Sequence, residues 1–496
     1  FFLTTAVMHA SKKEVFPFLP LLLLAISISL LLRATTGLHS YSGEGKPPMF
    51  GDYEAQRHWM EITTNLPASE WYFNTSRNDL QYWGLDYPPL TAYHSLVVGQ
   101  LFQRFEPQAV ALYTSRGYEN PSSKLFMRAS VLVSDVVTLF PVALLFAIWS
   151  HPKGSTTGTI KTFLAVVCQP CLVLIDHGHF QYNGVSLALA LAAIGLFQKD
   201  RWAWDVVGSV LFTMSLNFKH MGLYLAPAFL FLALHRMRWR SVSGRIVYFL
   251  SLGAASIATM VVLWLPFLSV VQAKQVLHRL FPFARGLYED KVANFWCATE
   301  PLFKFRNRVA VHQMARICTL TTLAGLVPIG FLLLRHRKRG LPKESFLWAL
   351  VASSLAFFLL SFQVHEKTIL VTMLPFTLLV SSHPFLVLWG HFIACFSMFT
   401  LLQRDGLSIP YAAFQLCTCA LLTATPASAG LRRLALVSVA GAVAVHMAGV
   451  LVLPPPGKPD IFSLLHAVYS FVHFAALYLF ALSNLGSPKD QKEHTR

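Results

Sequence analysis

The chain is poor in charge. Of its 496 residues 13% are Asp, Glu, Lys or Arg, and 55% are apolar. Soluble domains carry about 25% charged residues. Half that fraction, spread between long apolar runs, excludes a soluble globular enzyme and indicates a polytopic membrane protein. Cysteine offers no framework either. Cys168, Cys171, Cys318, Cys395, Cys417 and Cys419 lie in or beside apolar runs, where they act as small hydrophobes. Cys168 and Cys171 form a C-x-x-C, but without βαβ surroundings or a second pair, which argues against zinc or redox chemistry. Cys297 stands alone in a polar loop. Internal repeats, low-complexity tracts and a separate soluble domain are all missing. Acidic residues are few, 23 against 40 Lys and Arg, for a formal net charge of +17. The excess sits in short loops between apolar runs, a pattern that sets membrane topology and not nucleic-acid binding.

What is present is a series of spans. Fourteen apolar segments qualify, beginning 15–32, 130–149 and 162–176, including 367–382, and ending 433–453 and 461–482. The first follows Lys12 and Lys13, lacks a small-residue cleavage site and closes at Arg33. It is expected to be an uncleaved signal anchor with Met8 as the start. Lys and Arg alternate across the connections. Lys153, Lys161, Lys199, Arg201, Arg236–Arg245, Arg335–Lys343, Arg432 and Arg433 fall on one side, and single cations such as Lys219, Arg404 and Lys458 on the other. The positive-inside rule then places both termini in the cytosol. It places the loops 34–129 and 271–308, and the turn His365-Glu366-Lys367, on the lumenal side. The sequon Asn74-Thr75-Ser76 agrees, and Asn120-Pro121-Ser122 is excluded by its proline. The expected architecture is all-α, a single domain of about 14 transmembrane helices with C-terminal helices over 309–482.

The chemistry concentrates in the first loop. Asp52–Thr63 and Pro89–Phe105 have helical periodicity and are expected to be amphipathic helices lying in the membrane interface. Asp52 is either a helix N-cap or a general base at the membrane surface. Glu54 and Arg57 pair along a helix or bind substrate. Asp86 and Tyr87, before Pro88-Pro89, mark a turn or a binding position. Trp71, Tyr72, Tyr82, Trp83 and Tyr87 suit an interfacial belt and sugar stacking equally. Further on, Asp176-His177-Gly178-His179-Phe180-Gln181-Tyr182-Asn183 ends the third span. Its histidines hint at a metal. Their spacing does not share a helix face and no third partner follows, so a polar cavity lining with His179 and Gln181 facing substrate is favoured. Arg285, Glu289, Asp290 and Lys291, and then His365, Glu366 and Lys367, are charged lumenal clusters. They snorkel or pair with one another, or else His365, Lys367 and Arg285 cradle a phosphate.

Several ordered motifs carry a resemblance: GDYEAQRHWMEIT, LQYWGLDYPPLTAYHS, TSRGYE, KLFMR, DHGHFQYN, RLFPFARGLYEDKVANFWC and SFQVHEK. Together they resemble the endoplasmic-reticulum dolichyl-phosphate-glucose-dependent α-1,3-glucosyltransferases of N-glycan precursor assembly, enzymes of GT-C fold. The first two are similar to the member that adds the first glucose. The resemblance implies dolichyl phosphate β-glucose as donor and the nine-mannose oligosaccharide on dolichyl pyrophosphate as acceptor. It further implies inverting transfer without metal or cofactor, Asp52 as the catalytic carboxylate and His365 near the donor phosphate. The sister enzyme adding the second glucose, a lipid-sugar transporter and a non-catalytic lipid-sugar binder are the alternatives.

Overall fold

Apolar runs in lipid find no water for their backbone groups and close into helices. The computed structural model describes residues 17–281, 291–337 and 340–486, and among them every regular element is helical. Eight described helices are long and apolar enough to cross a bilayer, and three more are apolar but shorter: Asn183–Phe197, Pro384–Ser397 and Ser408–Ala424. Each of the fourteen expected segments contains a helix. The segment 367–382 holds only a nine-residue one, Ile369–Thr377, all of it buried. Outward faces are apolar, as lipid requires. Helix Val242–Leu263 buries only Tyr248.

The described residues form two compact units, one falling within Phe1–Gly222, Ser251–Ala284 and Phe399–Thr425, the other within Leu223–Leu250, Arg285–Met398 and Pro426–Arg496. In the first, α1 (Phe18–Gly37) buries Leu22, Ala25, Ser29, Arg33 and Thr36, one stripe at helical spacing. The loop that follows carries α2 (Gly51–Asn65) and α3 (Pro89–Phe105). After it come α4 (Pro121–Val137), α5 (Leu139–Ser150) and α6 (Thr156–Val167). Asn120, the asparagine of the excluded sequon, caps α4 by accepting from the Ser122 N–H, with Pro121 at the first helical position. Pro170 lacks an N–H, so winding breaks after α6, restarts with an α turn at Pro170–Leu172 and continues as a π-helix over Val173–Phe180. Helices α7 (Asn183–Phe197) and α8 (Trp202–Phe218) follow.

One of the two expected interfacial helices is something else. Helix α3 does show a lipid-type face, with Val97, Leu101 and Phe105 exposed at i, i+4, i+8 and Val98 and Phe102 buried behind them. Helix α2, in contrast, is buried all round from Tyr53 to Thr63. It can be enclosed because its charges neutralise one another, as described below. The two helices meet at Gly99, where a Cβ would lie 2.2 Å from Thr64 Oγ1 and 2.9 Å from the Met60 carbonyl oxygen.

In the second unit, Lys343–Leu360 is the enclosed helix, buried continuously from Ser345 to Ala356. Its C-terminal connection turns at Gln363, a left-handed residue (φ 56°), into the short helix Glu366–Thr368. Arg285, Glu289 and Asp290 lie outside the described residues.

Candidate active site

Asp52 stands in the first turn of α2, where the unsatisfied N–H groups favour a negative charge. It is not the N-cap. That position is Phe50, left-handed at φ 54°, and it makes no side-chain cap. The Asp52 carboxylate is therefore turned to other partners. The helix starts against a tight turn: Gly51 has φ +67°, and a Cβ there would fall 2.5 Å from the Ser42 carbonyl oxygen. Ser42 Oγ accepts from the Asp52 N–H at 3.2 Å, and the Ser42 N–H donates to the His179 carbonyl at 3.1 Å. The entry to α2 is thus tied to the π-helical segment.

That segment delivers the partners. Its i→i+5 winding is closed by the Gln181 N–H on the Asp176 carbonyl, 3.3 Å. Such π turns recur at functional sites. Between His179 and Gln181, Phe180 sits at φ 90°, a strained conformation for a side chain of that size. The outcome is convergence on one oxygen. His179 Nε2 lies 3.0 Å from Asp52 Oδ2, and the Gln181 amide donates to the same oxygen at 2.7 Å. His179 Nδ1 lies 2.5 Å from Asp405 Oδ2. His177, two residues earlier, points elsewhere, with Nε2 2.9 Å from Asp135 Oδ2, an oxygen that also accepts from Arg33 Nε at 2.9 Å. The two histidines thus serve separate carboxylates. Among the described residues no group of three or more His, Cys, Asp or Glu side chains is placed to hold a metal.

Gln181 is itself fixed. Its Oε1 accepts from Lys219 Nζ at 2.8 Å and from Asn183 Nδ2 at 3.1 Å, and Asn183 also donates to Asp176 at 2.6 Å. Lys219 Nζ lies 5.1 Å over the Tyr87 ring. Gln56, Tyr87, Thr91, Gln181 and Lys219 line a recess beside the Asp52 partners. Burial first, then the charges of Asp86, Asp52 and Asp176, hold the Tyr87 phenol well above its ordinary pKa. It stays a donor. Asp86, partly buried, precedes the Pro88-Pro89 start of α3, so the turn-forming role is realised, with the carboxylate near Tyr87.

Glu54 and Arg57 sit apart from this opening. Arg57 is fully buried and donates to Glu54 at 2.6 and 2.7 Å, to Glu61 at 2.8 Å, to Ser115 Oγ at 2.6 Å and to the Ala109 carbonyl at 2.8 Å. Glu54 also accepts from Tyr82 Oη and the Gly117 N–H. Burial works against the Glu61 charge, but bonds and charges from His58 and Arg57 prevail and lower its pKa to about 2. Pairing along the helix, not substrate contact, is what this geometry provides for Glu54 and Arg57. Trp71 and Tyr72 likewise are core residues, 3% and 0% exposed, and form neither a membrane belt nor a sugar platform.

His365 and Lys367, in the second unit, are partly buried on either side of buried Glu366. The residues missed by sequence reasoning are Asp405, Asp135 and Arg33. Asp135 carried a usable signal, an acid inside an apolar run. Asp405 carried none, because an aspartate beside a short connection is ordinary.

An all-helical polytopic membrane protein that fixes a partly exposed carboxylate against a buried histidine and a buried glutamine amide has the build of a membrane-embedded group-transfer enzyme. The ALG6, ALG8 glycosyltransferase family matches residues 21–480, and the chain belongs to it. Its all-helical, polytopic build is the one expected of a GT-C glycosyltransferase. It is 49% identical over 401 residues to a probable dolichyl pyrophosphate Man9GlcNAc2 alpha-1,3-glucosyltransferase of Dictyostelium discoideum, covering 80% of this chain and 76% of the relative. It is 44% identical over 411 residues to the dolichyl pyrophosphate Man9GlcNAc2 alpha-1,3-glucosyltransferase of Gallus gallus, 82% and 79% of the two chains. The protein of that name from Saccharomyces cerevisiae is 42% identical over 400 residues, 77% and 71%.

Proposed function

We propose that the chain transfers glucose from dolichyl phosphate β-glucose, in α-1,3 linkage and with inversion, onto the nine-mannose oligosaccharide of dolichyl pyrophosphate. This is the first glucosylation of the N-glycan precursor, carried out at the lumenal face of the endoplasmic-reticulum membrane with both termini cytosolic. The relatives' names support the acceptor and linkage. The observation that carries the reading is Asp52, whose side chain is 28% exposed while its Oδ2 is held by buried His179 and Gln181.

In this reaction the mannose 3-hydroxyl oxygen attacks C1 of glucose opposite the phosphate. The C1–O bond opens with its electron pair going to the phosphate, and the hydroxyl proton passes to the Asp52 carboxylate. Phosphate leaves readily, so one carboxylate suffices where a glycosidase uses two. Tyr87 and Asp86 contact sugar, and His365 and Lys367, with Arg285, take the donor phosphate through charge-assisted bonds. The test is transfer by the purified protein from synthetic dolichyl phosphate glucose to defined acceptors. Product on the unglucosylated acceptor is expected. Product only on the monoglucosylated one assigns the second-glucose step instead, and translocation without product assigns a transporter.

A further inference from the structure

We infer that Asp405 is a positioning residue for Asp52, acting through His179; the inference rests on Asp52 being the base. Asp405 is 353 positions from Asp52 in the chain, yet the two carboxylates flank His179: 2.5 Å from Asp405 Oδ2 to Nδ1, and 3.0 Å from Nε2 to Asp52 Oδ2. His179 is 1% exposed and Asp405 7%. A ring this buried can be turned about its χ2 axis by its neighbours alone, and the strong contact with Asp405 sets which nitrogen faces Asp52. This is the logic by which an outer carboxylate orients a histidine for the group beyond it.

The segment bearing Asp405 is built to hold that position. Ser40 Oγ donates to the Asp405 carbonyl, and Lys46 Nζ donates to the Arg404 carbonyl at 2.7 Å, fastening the segment to the loop that leads into Asp52. On the other side, a Cβ on Gly178 would lie 2.9 Å from Leu407 Cδ1, so residues 405–407 also press on the π-helical segment. Gly406 turns the chain there with φ +73°. Both walls that carry Asp52 and His179 are thus clamped by one short connection. A packing role alone would need no carboxylate at that point.

The experiment is a double-mutant cycle on the full-length protein in lipid nanodiscs, with kcat and KM measured for both lipid substrates. Asp405→Ala is expected to lower kcat about 10–100-fold, the usual loss for an outer orienting partner, with both KM values unchanged. Asp405→Asn, which keeps an oxygen to accept from Nδ1, is expected to recover part of the rate. Adding Asp405→Ala to Asp52→Asn is expected to slow the enzyme no further. Wild-type kcat in Asp405→Ala, or a loss that multiplies with that of Asp52→Asn, overturns the inference. A near-wild-type rate in Asp52→Asn alone overturns the base assignment instead.

Discussion

Arg33 and Asp135 meet at 2.9 Å, 102 residues apart in sequence, inside two helices long and apolar enough to cross a bilayer. Arg33 also donates to the Val167 carbonyl at 2.7 Å, next to the break before the π segment. With His177 on the same Asp135 oxygen, the trio locks α1, α4 and the segment that carries His179. Removing one partner strands a buried charge, a loss of about 3–5 kcal/mol. Arg33→Met is therefore expected to lower the melting temperature of the solubilised protein markedly. The double variant Arg33→Met/Asp135→Asn should regain part of that loss. Unchanged melting in Arg33→Met would show that the pair carries no net stability.

Asp52→Asn keeps the side-chain size and an acceptor for His179, and removes the proposed base. Loss of a general base lowers rates about 10²–10⁴-fold. The variant is expected to fold, to bind both lipid substrates and to transfer almost no glucose. EDTA is expected to leave the wild-type rate unchanged. A variant retaining more than about a tenth of wild-type kcat would move the role to another carboxylate.

Glu61 makes stability depend on pH. Its folded pKa is depressed from 4.5 to about 2. Its contribution is therefore complete above about 4.5 and is lost as pH falls toward about 2. At about 1.4 kcal/mol per pKa unit this amounts to roughly 3 kcal/mol. Glu61→Gln is expected to be less stable at neutral pH, with the gap to wild type closing through that window. A gap of constant size in acid titrations of thermal stability would remove Glu61 from the account.

His365→Ala and Lys367→Ala are expected to raise the KM for the dolichyl donor more than that for the acceptor. Each lost charge-assisted bond is worth about 1.5–3 kcal/mol, roughly 10–100-fold. Donor titrations matching wild type would return the turn to packing.

Topology is open to direct measurement. Asn74 is exposed in its loop, and its Oδ1 accepts from the Leu80 N–H at 3.2 Å. In sealed microsomes the loop 34–129, of which 38–120 lie between α1 and α4, is expected to resist added protease, and Asn74 to be available for glycosylation. Tags at both termini are expected to be digested. A protected C-terminal tag would require an odd number of crossings.

The primary sequence determined the environment and the inventory. Low charge and long apolar runs dictate helices in lipid, because a helix satisfies its backbone within one segment and continuous apolar runs lack the alternation of a barrel strand. The crowding of Asp52, Asp86 and Tyr87 in one polar loop, and of His179 and Gln181 at a helix end, marked the chemistry by contrast with that background. Periodicity also read α3 correctly as a helix with an exposed apolar face. It misjudged α2, since burial of Arg57 depends not only on Glu54 and Glu61 of its own helix but on the Ala109 carbonyl and Ser115 Oγ, 52 and 58 residues further along the chain. Tertiary structure alone decided which polar groups are enclosed by partners and which stay accessible. Glu54 and Asp52 are two residues apart on one helix, yet one is enclosed by Arg57 and Tyr82 and the other is held open by Gln181 and His179. The reason is geometric. At 100° per residue neighbours on a helix point to different surroundings, and what waits there, such as Asp405, comes from parts of the chain that no local pattern connects.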